Sequence, residues 1–129
     1  MDNYYDSASG EWVTDWDRYQ QIANQPQFAE LDSIAGSDPD HAWPLLLQLL
    51  AAVPEDTVHY VGAGPLETFI NEHGAAFISE LEAQAESNVR FRDAVLEVNL
   101  ERGVLPEAIE RRLMVAFGPQ FQLLERHAG

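Results

Sequence analysis

Apolar residues recur along most of this chain at three- and four-residue steps, separated by short clusters of Pro, Gly, Asn and Ser. That pattern predicts short amphipathic helices joined by tight turns. Trp12, Trp16, Tyr19 and Ile22–Ala23 form the first stripe, from Glu11 to about Asn24, and Gln25-Pro26 breaks it. Phe28, Leu31, Ile34 and Ala35 form the second, closed by Gly36. Ser37-Asp38-Pro39-Asp40 then offers a capping side chain, a proline for the first turn and acids at the positive end of a helix dipole. It introduces the Leu-rich run His41–Val53, predicted to be the central buried helix. Pro44 lies inside that run, so either the helix kinks there or it begins at Pro44.

Pro54-Glu55-Asp56 opens a further segment that passes through Tyr60-Val61 and closes at Gly62. Gly64-Pro65-Leu66-Glu67 starts a helix with Leu66, Phe69, Ile70 and His73 on one face, and Glu67 is placed to complete its cap. Later stripes run from Ala76 to about Glu86, from Phe91 towards Gly103, and from Leu105 to Phe117 behind Pro106. A last turn over Pro119–Arg126 brings Phe121 and Leu124 together. Only Thr57–Val61 leaves room for a strand. The expected fold is all-α, a bundle of eight or nine short helices. Stacked antiparallel hairpins resembling a short helical-repeat array and a compact irregular bundle both fit this rhythm, and no fixed period of self-similarity is present. Residues 1–10 carry no periodicity and read as a flexible acidic tail, which leaves 11–129 as a single helical domain.

Charge narrows the possible partners. Residues 1–88 hold 16 carboxylates and one basic residue, Arg18, while residues 89–129 hold six acids and six arginines. The whole net charge of −15 therefore belongs to the first two thirds of the chain. Such a surface repels phosphate backbones and anionic membranes and attracts cationic proteins. The longest apolar runs, Trp43–Leu47 and Leu49–Pro54, fall far short of the roughly 20 residues a membrane span needs. The segment Met1–Asp6 lacks the order of a signal peptide, so a cytoplasmic location is expected.

The catalytic inventory is thin. There is no cysteine, hence no thiolate nucleophile, disulfide or zinc–thiolate site. His41, His59, His73 and His127 show no three- or four-residue spacing, and Asp15 and Asp17 face about 200° apart on a helix, so no metal site is expected. Gly62-Ala63-Gly64 has neither a third glycine nor a following basic residue, so it makes a poor phosphate cradle, and G-x-S-x-G is absent. No cofactor is expected. The remaining acid–base candidate is the pair Glu67 and His73. Aromatic residues are the more informative signal: all three Trp and all four Tyr fall within the acidic two thirds. Aromatic anchors ringed by carboxylates suit a surface that meets a basic protein. Asp15, Trp16, Asp40, His41, Trp43, Tyr60, Glu67 and His73 are the candidate partner-binding residues.

Several stretches also carry a family resemblance. These are Asp38-Pro39-Asp40-His41-Ala42-Trp43, Leu46-Leu47, Leu49-Leu50, Pro54-Glu55-Asp56, Tyr60-Val61-Gly62-Ala63-Gly64-Pro65-Leu66-Glu67, His73-Gly74, Phe77-Ile78, Glu82 and Arg90-Phe91-Arg92. Through them, residues 38–112 resemble an uncharacterised family of small bacterial helical domains of unknown function. The resemblance implies an all-α fold and a bacterial source, and supplies no activity. The function expected from the residues is that of a non-enzymatic acidic interaction protein. It would be of immunity or antitoxin type, occluding a basic partner such as a toxin. A helical scaffold or regulatory domain, monomeric or dimeric, is the alternative, and an enzyme using Glu67 and His73 is the second.

Overall fold

The structure, a computed structural model, describes residues 3–6, 11–121, 123 and 124. The side chains of residues 3–6 and 11–13 lie outside that description. The chain opens with two short strands, β1 (Asn3–Asp6) and β2 (Glu11–Thr14), paired antiparallel with Asn3 opposite Thr14 and Asp6 opposite Glu11. Thr14 then starts α1 (Asp15–Ala23). Its hydroxyl accepts the Asp17 N–H at 3.1 Å, and the Asp17 carboxylate accepts the Thr14 N–H at 3.2 Å. This reciprocal cap satisfies two backbone donors and sets the boundary at Asp15, not at Glu11 as the apolar spacing predicts. The stretch 1–10, expected as a tail, contains strand β1, and its other residues lie outside those described.

A 3-10 turn at Pro26–Phe28 leads to α2 (Leu31–Ile34) and then to α3 (Pro39–Ala52), the longest helix described. Asp38 caps α3 by accepting the His41 N–H at 3.3 Å. The helix begins at Pro39 and continues past Pro44, so it does not start at Pro44. Pro44 has no N–H for the Asp40 carbonyl, but both residues are exposed and water can take that carbonyl. After a 3-10 turn at Glu55–Thr57 come α4 (Val58–Ala63), α5 (Pro65–His73), α6 (Ile78–Ser87), α7 (Val89–Val95) and α8 (Glu107–Phe117). Thr57–Val61 is helical and holds no strand.

Helix α3 forms the axis of the core. It buries Ala42, Leu46, Leu49 and Leu50 and touches α1, α2, α4, α5 and α7, while α6 packs on α7 and α8. Contacts reaching that far along the sequence make a compact bundle, not a one-dimensional stack in which each hairpin meets only its neighbours. The fold is all-α apart from the N-terminal hairpin. No described helix is long and apolar enough to cross a membrane.

Two predicted helical stretches differ. Helix α7 stops at Val95, and the chain beyond it alternates, with Val98 and Leu100 buried and Glu97, Asn99 and Glu101 exposed. Pro119–Arg126 forms no helix in its described part. Leu124 instead lies beside Glu101 in a parallel bridge, donating to the Leu100 carbonyl at 2.8 Å and accepting from Arg102 N–H at 2.9 Å. Phe121 is buried while Leu124 is 45% exposed.

Candidate functional site

Trp16 and Tyr19 stand three residues apart on α1 and therefore share a face. Docking of α1 beside the start of α4 brings Tyr60 to the same place. The three rings are mutual neighbours: centroids lie 5.4 Å apart for Trp16–Tyr19, 5.0 Å for Trp16–Tyr60 and 5.3 Å for Tyr19–Tyr60. Trp16 and Tyr60 meet nearly edge to face, at 72°, a favoured arrangement of aromatic quadrupoles. His59 also lies against Tyr60, at 4.1 Å between centroids.

These rings line a cleft of about 310 Å³ whose floor and far wall come from Phe28, Leu31, Leu49 and the Ala63-Gly64-Pro65 junction of α4 and α5. Gln20, Asn24 and Asp32 supply its polar groups. Trp16 is 44% exposed, the most accessible aromatic ring among the described large hydrophobic residues, whereas Tyr19 is buried. The sole cation of residues 1–88 is held beside the cleft: Arg18 donates to Asp56 at 2.8 Å and lies 3.4 Å from Asp15. The Arg18 hydrogen bond keeps the exposed Asp56 carboxyl below its ordinary range.

Burial, and after it the nearby charge of Asp32, push the Tyr19 phenol up from 10.0 to about 12. Between those values the unfolded chain gives up a proton that the folded chain keeps. Stability associated with Tyr19 is therefore intact below pH 10 and is lost as pH rises towards 12, by roughly 2–3 kcal/mol at the upper end. Tyr19→Phe should flatten that alkaline decline in denaturant titrations and remove a late-titrating tyrosine from the absorbance titration. An unchanged alkaline limb would show that Tyr19 ionises as freely when folded as when unfolded.

The other candidates are dispersed. Asp15 joins the cluster through Arg18. Asp40 and His41 lie on the exposed first turn of α3, where the His41 Nδ1 sits 3.8 Å from Asp38. Trp43, expected to be a docking anchor, is packed by Phe69, Phe77 and Phe91 with centroids 5.4, 5.7 and 5.7 Å away. It is half-buried and packs against the core.

Glu67 does not cap its own helix. Its carboxylate accepts the Asn99 N–H at 2.7 Å, and Asn71 donates to the Asn99 carbonyl, so α5 holds the chain beyond α7. His73 Nε2 lies 3.0 Å from the Gly36 carbonyl, and since a carbonyl only accepts, that nitrogen carries the proton. Glu67 and His73 thus serve different segments and sit about 120° apart around α5. They do not assemble the acid–base pair that the second alternative requires.

Tyr19 and Asp32 belong to the cleft and were not among the candidates. Tyr19 reads as one more position in an apolar stripe, and Asp32 as one of many acids. Among the described residues, no group of three or more His, Asp or Glu could hold a metal ion. No curated protein and no solved structure matches the chain. Residues 16–123, from the exposed cleft tryptophan to the last buried leucine, match the family of unknown function DUF6869, to which this chain belongs.

Proposed function

We propose that the protein is a non-enzymatic interaction module, of cytoplasmic immunity or antitoxin type, that binds and occludes a basic protein. The observation that carries this reading is Trp16, 44% exposed at an aromatic cleft within a region of 16 carboxylates and one arginine. Buried Trp and Tyr anchors supply most of the energy of many protein interfaces, and complementary charge supplies approach rate and choice of partner. Arg18 does not offset this, because Asp15 and Asp56 already hold it. Asp32, exposed on α2, lines the cleft itself.

The test is affinity capture from the source cell at low and high salt, followed by kinetics with the purified partner. A basic partner is expected, with an association rate that falls at least about tenfold on raising the ionic strength. Trp16→Ala should weaken the complex at least about tenfold without changing the fold. A neutral or acidic partner, or a salt-insensitive rate, would overturn the proposal. Full binding by Trp16→Ala would move the interface away from the cleft.

A further inference from the structure

The cleft carries a more specific reading, which rests on the proposed function. Its volume, about 310 Å³, is at the lower limit for small-molecule pockets and suits one long side chain better than a whole cofactor. Its lining combines aromatic and aliphatic residues with the amides of Gln20 and Asn24, its one charged lining group is the Asp32 carboxylate, and no described cation lines it. Aromatic faces attract cations through the ring quadrupole. Among cationic side chains, guanidinium is the least hydrated, is planar, and can stack on a ring while its edge donates to a carboxylate.

From this geometry we infer that the cleft formed by Trp16, Tyr19, Tyr60 and Asp32 is the receptor for an arginine side chain of the basic partner. Trp16 and Tyr60 provide the stacking surface. Asp32 receives the donors, and the Leu49 and Phe28 walls cover the methylene stem. The charge of Asp32 is felt inside the cleft, since it acts on the buried Tyr19 phenol.

The experiment titrates the full-length protein with N-acetyl-arginine amide and, separately, with N-acetyl-citrulline amide, its neutral isostere. Both are followed by heteronuclear NMR, with Trp16→Phe used to assign the indole signal. Saturable shifts are expected at the Trp16 indole and at cleft residues with the arginine compound, with citrulline binding about three- to tenfold more weakly. Asp32→Asn, a change at an exposed position, should remove most of that preference while leaving the spectrum of a folded protein. Equal response to both compounds, or shifts confined to residues outside the cleft, would overturn the inference. A salt-sensitive basic partner together with a silent cleft would sink the arginine site and leave the proposed function standing. An arginine-selective cleft with no basic partner would do the reverse.

Discussion

Replacing Gly62 by alanine should destabilise the protein by about 2 kcal/mol, although alanine is the better helix former. Gly62 lies in α4 where that helix crosses α7, and a Cβ built there would stand 1.8 Å from the Ala94 carbonyl oxygen and 2.7 Å from its carbon. Both obstacles are backbone, so no rotamer change relieves them; the helices must separate. Two effects compete. Helix propensity favours alanine over glycine by about 1 kcal/mol. Forced separation opens the contact that buries Val61, Phe91 and Val95, and overpacking of this kind costs about 1–3 kcal/mol before secondary losses. The steric term wins.

Urea denaturation of Gly62→Ala beside Gly36→Ala separates these effects. At Gly36 the added Cβ meets Thr68 Cγ2 at 3.5 Å and Glu72 Cγ at 3.9 Å, both ordinary contacts with side chains, so that change should stay within about 0.5 kcal/mol. A Gly62→Ala protein as stable as the parent would mean that α4 and α7 have room between them. The substitution also reaches the cleft, because Tyr60, Ala63, Gly64 and Pro65 line it from either side of Gly62. A displaced α4 moves that wall, so arginine binding and stability should fall together.

The run Tyr60–Glu67, one of the stretches that carry the family resemblance, thus has a structural account. Gly62 admits the α7 backbone, Pro65 opens α5, and Glu67 holds Asn99. Nothing local in the sequence showed why Gly62 is needed, because the neighbour that demands it lies 32 positions away at Ala94. The same limit governs the cleft. Trp16 and Tyr60 each stood out as aromatic residues among acids, and Trp16 shares a helix face with Tyr19, but the docking that brings Tyr60 to that pair is a tertiary event without local spacing. Helices α3 and α5 were legible because Pro39 and Pro65 mark their first turns and their stripes are long.

Where local signals conflicted, the longer stripe misled. Trp12 and Trp16 are four apart, which continues the α1 period backwards across β2, whereas Thr14 and Asp17 mark the real start through their mutual cap. Beyond Val95 the four-residue step from Leu96 to Leu100 suggested a longer helix. The signal that mattered was the two-residue alternation of Val98 and Leu100, both buried. Trp43 was indistinguishable from Trp16 by type and charge context. Only the three phenylalanines around it, drawn from α5, the turn before α6, and α7, show it half-buried against the core.

Arg90→Met should cost about 3 kcal/mol, lowering the melting temperature by roughly 10 °C. The last carbonyls of any helix lack partners within it, and at the end of α3 the carbonyls belong to Leu50 and Val53, both buried. Arg90 Nη1, reaching over from α7, donates to them at 2.9 and 2.7 Å. Methionine retains the apolar stem but leaves both carbonyls without a donor in a place water reaches poorly. It also removes a cation from the negative end of the α3 dipole. Because a single nitrogen makes both bonds, the forked shape of guanidinium is not what the site uses. A lysine ammonium also has the donors, on a stem one bond shorter, so Arg90→Lys should restore more than half of the stability lost in Arg90→Met. Equal losses in the two variants would show that reach, not charge or donor count, is what α3 requires of α7.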